Sequence, residues 1–481
     1  MIDPWKRMSC VPSSAATAAS KRPPSRSPGS SGPVLGASGS VLGASGSVLE
    51  GLATDGPWVG AVEAFRQRNP RRLDRLGAYE RIIDEGEHLR LGADVLAGRH
   101  QPAPPRAGWL NKADGRKKRI FQYPAPDELL FRAVNGLLQP VAVQEASPWC
   151  HSFLPGGGAR AAFRAVLADP EVEAKAALRL DISDYFNSID VADLLRRLPE
   201  PFTEAPLFRL LSAALLDPRV EQNGTVVDGG VKGIMAGTPL APLLATLYLR
   251  DLDHEVAAGG ATYARYSDDF LVLAAPADLP ELERLVRDRL HERRLRVNEG
   301  KTMVAAPGQG WDFLGFRYQD GAIRLAPITE RKLKARSTRL ARSLLRWRER
   351  NDAPPERAVG AFVRRTNLRL FGVPWERAEF SWATWFLPML HRPDGLGALD
   401  QHVQREARYA ATGRRTGRSR ALVPYAALVE AGHLPLVAAF WAMHRDDASY
   451  ETLVASRTGL GSTGWPGPGA VPDDAGPLGA G

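Results

Sequence analysis

The sequence has little cysteine and no long hydrophobic run, and these absences narrow the class of protein. Its 481 residues include two cysteines, Cys10 and Cys150. Two cysteines cannot form a disulfide framework or a Cys-rich zinc site, so a reducing, cytoplasmic setting is expected. The longest apolar runs, such as Leu434 to Met443, are too short to cross a bilayer, and the first residues lack the apolar core of a signal peptide. We therefore expect a soluble protein with no membrane partner.

Motifs for an attached nuclease are also missing from the sequence. It contains no Cys-x-x-Cys pair and no convincing His-Asn-His array. The C-terminal half has no acidic cluster of the kind that an RNase H domain needs. These absences argue against a zinc-dependent or His-type endonuclease and against an RNase H domain.

What the chain does contain is an excess of positive charge. The formal net charge is +9 and the pI is about 9.6, while 44% of the residues are hydrophobic. A basic balance of this kind is typical of proteins that bind polyanions, although a solvated basic surface can also bind nothing. The length and the hydrophobic fraction predict two or three domains with a large core.

Low-complexity sequence predicts disordered tails at both ends. Residues 1–56 are rich in Ser, Pro and Gly and contain a seven-residue repeat, Val34 to Ser40 and Val41 to Ser47, whose period is too short for a solenoid unit. Residues 458–481 are rich in Gly and Pro. Between the tails, strand-like and helix-like segments alternate without a regular βαβ period, which predicts an α+β fold.

Three aspartates lie at the ends of predicted strands. Asp181 follows the strand-like segment Ala177 to Leu180, and Asp268 and Asp269 occupy the tip of a predicted hairpin. Phosphoryl transfer by two metal ions needs carboxylates delivered to one point, because Mg²⁺ prefers oxygen ligands. Adjacent aspartates are also ordinary in turns, so the pair alone leaves a purely structural role open.

The segment from Lys112 to Tyr318 resembles the reverse transcriptases, with the family's motifs in the family's order. The resemblance is carried by Lys112 to Arg119 before Tyr123-Pro124 (the fingers hairpin), Ser152-Phe-Leu-Pro155-Gly156-Gly-Gly-Ala159 (the Gly-rich segment), Arg179-Leu-Asp181-Ile-Ser-Asp-Tyr-Phe186-Asn-Ser-Ile189 (motif A), Gly233-Ile-Met-Ala-Gly237-Thr-Pro239 (motif B), Tyr263-Ala-Arg-Tyr266-Ser-Asp268-Asp269 (motif C), Leu295-Arg-Val-Asn298-Glu-Gly-Lys301-Thr302 (motif D) and Trp311-Asp-Phe-Leu314-Gly315-Phe316 (motif E). Each motif alone is a weak signal, but the ordered set is very specific. The sequence resembles the prokaryotic members of the family, which are of the group II intron-like or stand-alone bacterial type.

The resemblance implies a two-metal polymerase site. Asp181 and Asp268 would ligate both ions, Asp269 would assist, and the main-chain carbonyl of Ile182 would add an oxygen. The ions would be Mg²⁺, with Mn²⁺ as a substitute. Lys301 would approach the leaving pyrophosphate as a further catalytic group, although it could also be an ordinary turn lysine.

The resemblance also assigns residues to the incoming nucleotide. Lys112 and Arg119 would grip the triphosphate from the fingers, since a guanidinium matches phosphate geometry. A solvated basic loop remains the alternative, particularly for Lys117 and Lys118.

Three further residues would shape the nucleotide site. Phe186 would leave no room for a 2′-hydroxyl, which implies dNTP substrates, although a phenylalanine is also common core filling. Gly237 would let the template and base pair approach closely, and Tyr266 would contact the nucleotide. Motif B has Met235-Ala236 where Pro-Gln is commoner, which puts template contacts and fidelity in doubt.

The implied architecture is a right-hand polymerase. Fingers and palm would span residues 57–325, an α-helical thumb 326–395 and a helical extension 396–457. A helix from Thr329 to Arg350, capped by Thr329, is rich in Lys and Arg and would track a template–primer duplex, unless it is only a solvated surface helix.

The sequence therefore predicts an RNA-directed DNA polymerase that adds dNTPs to a priming hydroxyl on an RNA template. The expected setting is a stand-alone bacterial enzyme, derived from a retroelement or serving antiphage defence, with a dedicated non-coding RNA as a further partner. The thumb features of a retron enzyme are not evident. An RNA-dependent RNA polymerase and a non-catalytic RNA-binding cofactor remain as alternatives. The polymerase prediction requires that Asp181 lie within about 10 Å of the Asp268–Asp269 tip.

Overall fold

The computed structural model describes residues 47–456, except 70–71, 112–116, 231, 373–380, 447–448, 451 and 454–455. From Ser47 onward the chain forms one compact unit. The predicted tail 458–481, most of the predicted tail 1–56 and Lys112 lie outside the described residues.

The last part of the predicted N-terminal tail is folded, so the tail prediction is wrong for residues 47–56. Val48–Ala53 forms a 3₁₀ helix in which Leu49 and Leu52 are fully buried. The indole of Trp58 donates a hydrogen bond to the Leu52 carbonyl at 3.1 Å. Two leucines three residues apart lie on one side of such a helix, and their burial stabilises a segment that its composition alone would leave disordered.

Helices and strands alternate irregularly along the chain. The helices are α1 (Gly56–Arg68), α2 (Leu73–Asp84), α3 (Glu87–Leu96), α4 (Ala125–Glu145), α5 (Ala159–Leu167), α6 (Tyr185–Ser188), α7 (Val191–Arg197), α8 (Ala205–Leu216), α9 (Ala241–Tyr248), α10 (Arg250–Ala258), α11 (Leu279–Glu292), α12 (Pro327–Arg350), α13 (Pro355–Phe371), α14 (Trp382–Phe386), α15 (Leu396–Thr412), α16 (Arg418–Leu422), α17 (Tyr425–Glu430) and α18 (Leu436–Arg445). The strands are β1 (Arg106–Asn111), β2 (Lys117–Gln122), β3 (Ala176–Asp181), β4 (Arg219–Gln222), β5 (Thr225–Asp228), β6 (Thr262–Tyr266), β7 (Asp269–Ala274), β8 (Met303–Ala305), β9 (Trp311–Phe313), β10 (Phe316–Gln319) and β11 (Ala322–Leu325).

The strands form three sheets. The first has the order β2-β1-β4-β5, the central sheet has the order β6-β7-β3-β8, and the third is the meander β9-β10-β11. All pairings in the central sheet are antiparallel. The sheet connects β3 to strands that follow it by about a hundred residues in the chain, so it joins distant parts of the sequence.

The two faces of the central sheet pack on different cores. Leu178 and Val272 point into the core formed with the helices on one face, whereas Ala177 and Leu273 point into the core on the other. Both central strands are therefore buried on two faces, which explains why their sequences are almost continuously apolar.

The basic helix α12 begins earlier than the sequence predicts. It starts at Pro327, which suits the first turn because proline lacks the amide hydrogen that would be unpaired there. Thr329 is therefore not the N-cap. Its hydroxyl instead donates to the Gly315 carbonyl at 2.7 Å, which ties the β9–β10 hairpin to the helix.

The C-terminal helices enclose a separate small core. Buried side chains of α12, α13, α15 and α17 meet in it, among them Leu344, Phe362, Val403 and Leu428. Within the described ranges, no helix is long and apolar enough to cross a membrane.

The buried ion pair between Arg265 and Asp253 gives a test of stability. Both side chains are fully buried, and Arg265 Nη2 lies 2.6 Å from Asp253 Oδ2. We expect Asp253→Asn to lower the free energy of unfolding by about 3–5 kcal/mol, because it leaves a buried guanidinium without its counter-charge. Arg284→Ala, which removes an exposed ion pair to Asp288, should change it by less than about 0.5 kcal/mol. Urea unfolding of both variants makes the measurement, and equal losses would contradict the prediction.

Candidate active site

The three predicted carboxylates meet at one end of the central sheet. Asp181, the last residue of β3, is the direct cross-strand partner of Asp269, the first residue of β7. The amide of Ile182 donates to the Asp268 carbonyl at 3.0 Å. Directly opposed residues in antiparallel strands lie about 4.5–5.5 Å apart between Cα atoms, well within the limit that the polymerase prediction sets.

Asp269 is held by an arginine from the neighbouring strand. Arg179 donates from Nε and Nη2 to the two carboxylate oxygens of Asp269, at 2.8 and 3.0 Å. A bidentate, largely buried pair of this kind fixes both side chains. The carboxylate of Asp269 is therefore committed to a cation of the protein.

Asp181 has partners from the loop before β8. Lys301 Nζ lies 2.7 Å from Asp181 Oδ1, and Asn298 Nδ2 donates to Asp181 Oδ2 at 3.2 Å. The main-chain amide of Asn298 also donates to the main-chain carbonyl of Asp181 at 2.7 Å. Motif D residues thus contact the motif A carboxylate directly.

Asp268 has no ion-pair partner among the described residues. Burial and the nearby charge of Asp181 raise its pKa. Burial likewise raises the pKa of Asp269 to about 6, against the opposing effect of Arg179. The site thus brings together negative charges that are only partly compensated.

This charge distribution fits a divalent cation. Asp181 and Asp268 repel each other, and the Lys301 ammonium lies 2.7 Å from Asp181. In the part of the chain that the structure describes, no group of three or more His, Cys, Asp or Glu side chains is arranged to hold a metal. Asp269 is paired with Arg179, whereas Asp268 has no such partner among the described residues.

A group of rings and one lysine borders the carboxylates. Phe153 lies between Phe186 and Tyr266, with centroid distances of 6.2 and 6.0 Å. The Lys118 ammonium lies 5.3 Å from the centre of the Phe186 ring, and its charge opposes the rise in the pKa of Asp268. Phe186 and Tyr266 are both half-buried, so part of each ring is accessible from the site.

Arg119 and Gly237 lie where the first sheet meets motif B. Arg119 donates from Nη1 to the Gly229 carbonyl at 2.8 Å and stacks over the Phe121 ring. Gly237 has a φ of +102°, and a Cβ there would come within 3.0 Å of the Phe121 carbonyl. Gly237 is thus required for the close approach of motif B to β2.

Several site residues escaped the sequence interpretation. Arg179 is two residues before Asp181, so the period of a strand places both on one face, and this could have indicated a partner for Asp269. Lys118 and Arg119 alternate in β2 and therefore point to opposite faces, a signal that favours only one of them for the site. The contact of Asn298 with Asp181 joins residues far apart in the chain and gave no local signal.

A cationic cluster continues from the site onto α12 and α13. It consists of Lys332, Arg336 and Arg339 of α12 and Arg369 of α13, and none of these has an ion-pair partner among the described residues. Burial and mutual repulsion lower the pKa of Lys332, Arg336 and Arg369, and Lys301 and Arg179 contribute to the repulsion on Lys332. Lys332 is therefore within electrostatic reach of the two cations that bind Asp181 and Asp269.

The central region of the chain is similar to known proteins. Residues 116–318 match the family described as reverse transcriptase (RNA-dependent DNA polymerase). This region is a reverse transcriptase domain. Its enzyme class is that of the RNA-directed DNA polymerases, which are nucleotidyltransferases, and its α+β architecture is that of a right-hand polymerase, so both predictions are confirmed.

The similar proteins are two bacterial proteins and a telomerase. Protein YkfC of Escherichia coli (strain K12) is 22% identical over 302 residues, which cover 53% of this chain and 78% of YkfC. The retron Mx65 reverse transcriptase of Myxococcus xanthus is 29% identical over 217 residues, covering 43% of this chain and 47% of the retron enzyme. A solved apo telomerase from Candida tropicalis aligns with a TM-score of 0.38 and 11% identity, over 49% of this chain and 59% of the telomerase chain.

These comparisons confirm a prokaryotic reverse transcriptase. The group II intron-like subtype stays a prediction, and so do the roles of the individual site residues. The chain spans about half the length of the retron enzyme that it matches.

The Arg179–Asp269 pair of this reverse transcriptase can be tested by a double-variant cycle. Arg179→Met should lower the free energy of unfolding by about 3 kcal/mol, because it leaves Asp269 buried without a counter-charge. Adding Asp269→Asn should recover most of this loss, since the amide carries no charge. Chemical denaturation of the two single variants and the double variant measures the coupling. A double variant no more stable than Arg179→Met would contradict the pairing.

Proposed function

We propose that this protein copies RNA into DNA by adding dNTPs to a priming hydroxyl at the Asp181–Asp268 site. The observation that carries the proposal is the placement of these two carboxylates, from distant parts of the chain, at one end of the central sheet. Carboxylates that repel each other there have no structural advantage, whereas a pair of metal ions would stabilise both.

Asp181, Asp268 and the Ile182 carbonyl would hold two Mg²⁺ ions, with Mn²⁺ as a substitute. When bound, the ions supply activation of the priming oxygen and stabilisation of the leaving pyrophosphate. Ile182 supports this set because its amide pairs with Asp268, and the amide and carbonyl of one strand residue point to the same side. Asp269, the residue after Asp268, would assist, and its ion pair with Arg179 fixes its position.

Lys301 would have two roles at the site. Its ammonium lies 2.7 Å from Asp181 Oδ1 and balances the charge of that carboxylate. With substrate bound, the same side chain is long and flexible enough to turn toward the leaving pyrophosphate and neutralise it.

The nucleotide would lie against the rings of Phe186 and Tyr266, with Gly237 close to the template base pair. The Lys118 ammonium lies 5.3 Å from the centre of the Phe186 ring, so it joins Lys112 and Arg119 as a candidate contact to the triphosphate. The half-buried Phe186 ring supports selection of dNTPs, because a ring beneath the sugar would collide with a 2′-hydroxyl.

The template–primer duplex would follow the cationic cluster of α12 and α13. Lys332 and Arg336 lie on α12 without ion-pair partners among the described residues, so their charges are available to phosphates. The domain boundaries predicted from the sequence (57–325 for fingers and palm, 326–395 for the thumb and 396–457 for the extension) are retained in this proposal.

The biological setting proposed is a stand-alone bacterial enzyme, derived from a retroelement or serving antiphage defence. The resemblance of the polymerase region to a retron reverse transcriptase supports a dedicated non-coding RNA as partner. Sequencing of the nucleic acid that copurifies with the protein from its host would identify the template and primer.

Replacement of the two ligating carboxylates tests the activity. Asp181→Asn and Asp268→Asn should each lower dNTP incorporation on an RNA template by at least about 10³-fold, since each removes a charge that holds the metals. Binding of an RNA–DNA duplex, followed by fluorescence anisotropy, should be unchanged or slightly tighter. The control is Asp320→Asn, an exposed turn aspartate with φ of +51° that asparagine also tolerates.

Two results would overturn this function. If Asp268→Asn incorporates dNTPs at the wild-type rate, the carboxylate site takes no part in the reaction. A wild-type protein that binds RNA but incorporates no nucleotide, and whose Asp268→Ala/Asp269→Ala variant keeps its biological effect, would favour the RNA-binding cofactor.

Phe186 tests the choice of sugar. Phe186→Ala should raise the use of rNTPs relative to dNTPs by about tenfold or more, because the space for a 2′-hydroxyl opens. The ratio of kcat/KM for the two nucleotides is the measurement, and Phe208→Ala, which trims a half-buried phenylalanine of the same core, is the control. A wild-type preference for rNTPs would favour an RNA-dependent RNA polymerase.

A further inference from the structure

The turn that carries Asp268 contains a strained residue. Ser267 is the first of the two residues that connect β6 to β7, and its φ is +59°. Residues other than glycine rarely adopt this left-handed conformation, and glycine usually occupies this turn position. Ser267 is also buried, with 5% of its surface exposed, so its main-chain groups cannot rely on water. Contacts within the protein must therefore hold the turn.

Ser152 and Arg265 supply those contacts. The Ser267 amide donates to Ser152 Oγ at 3.0 Å, and Ser152 is fully buried. Arg265 Nη1 donates to the Ser267 carbonyl at 3.2 Å. Both main-chain polar groups of the left-handed residue thus have a buried partner.

Ser152 is itself held in register with β6. The Arg265 amide donates to the Trp149 carbonyl at 2.8 Å, and the His151 amide donates to the Arg265 carbonyl at 2.9 Å. The Ser152 hydroxyl also lies 3.3 Å from the thiol of Cys150. The beginning of the Gly-rich segment therefore runs beside β6 as a short parallel extension and presents the Ser152 hydroxyl to the turn.

We propose that Ser152 is a positioning residue of the polymerase site: its hydroxyl fixes the left-handed main chain of Ser267 and so places the Asp268 carboxylate beside Asp181. The inference rests on the proposed polymerase function. Without the hydroxyl, the Ser267 amide is buried without a partner and the strain in the turn is no longer opposed. The turn then relaxes, and Asp268 moves relative to Asp181.

The experiment compares Ser152→Ala with Ser147→Ala in the full-length protein. Ser147 is a matched control, because it is a buried serine of the same segment whose hydroxyl accepts from the Trp149 amide at 3.2 Å and does not reach the turn. We expect Ser152→Ala to lower kcat for dNTP addition by about tenfold or more, with KM for dNTP changed by less than about threefold. Ser147→Ala should keep kcat within about twofold of the wild type.

A glycine at position 267 provides the rescue. Glycine adopts a positive φ without strain, so Ser152→Ala/Ser267→Gly should recover most of the kcat that Ser152→Ala loses. Equal kcat values for Ser152→Ala and Ser147→Ala, or no recovery in the double variant, would overturn the proposal. If Ser152→Ala alone does not fold, kcat of the double variant is compared with kcat of Ser267→Gly. A kcat at least tenfold lower in the double variant would overturn the proposal.

Hydrogen exchange separates this inference from the polymerase function. The Ser267 amide should exchange at least about tenfold faster in Ser152→Ala than in Ser147→Ala, because its hydrogen bond is lost. This readout does not need catalysis. If the wild-type protein adds no dNTP, the proposed function fails. The exchange rate of the Ser267 amide still decides whether Ser152 holds the turn. An exchange rate unchanged by Ser152→Ala would overturn that role.

Discussion

The alignment of β3 with β7 is the constraint on which the site depends. It sets Asp181 opposite Asp269 and brings Asp268 to the same end of the sheet. A shift of one residue would turn Asp181 to the other face, because side chains alternate along a strand. The alignment is strongly specified, since Leu178 and Ala177 enter different cores on the two faces and a shifted strand would lose both. Hydrophobic packing away from the site therefore determines the geometry of the carboxylates.

The protein compensates the charges that this alignment concentrates. Arg179 and Asp181 lie on one face of β3, and Asp269 of β7 lies on the same face of the sheet. Strand β3 therefore supplies both the carboxylate of Asp181 and the cation that pairs with Asp269. Lys301 compensates Asp181 from a different element. Of the three carboxylates, Asp268 has a raised pKa and no ion pair among the described residues. The two ion pairs allow the fold to tolerate the acidic cluster, and the remaining negative charge is located at Asp268.

The sequence was sufficient to predict the meeting of Asp181 with the Asp268–Asp269 turn, because the ordered motifs identify a family whose fold brings them together. It could not predict which carboxylate Arg179 would bind, since that depends on cross-strand alignment over about ninety residues of chain. Local patterns also failed where tertiary contacts dominate. Thr329 has the right chemistry for a helix cap, yet its hydroxyl binds Gly315 of the preceding hairpin. The buried leucine Leu49 lies in the segment 1–56, whose composition indicates disorder, and packing against the helices that follow stabilises it.

The cations of α12 and α13 complete the electrostatic arrangement of the site. Arg179 and Lys301 are paired with carboxylates, whereas Lys332 and Arg336 further along have no such partners in the described chain, and burial together with like charges lowers their pKa. Unpaired, partly buried cations cost free energy, and a polyanion lying along them would recover it. Lys301 and Arg179 contribute to the repulsion on Lys332, so the cluster lies within electrostatic reach of the two cations that bind the carboxylates. A phosphate backbone attracted along α12 would therefore be drawn toward the same end of the central sheet.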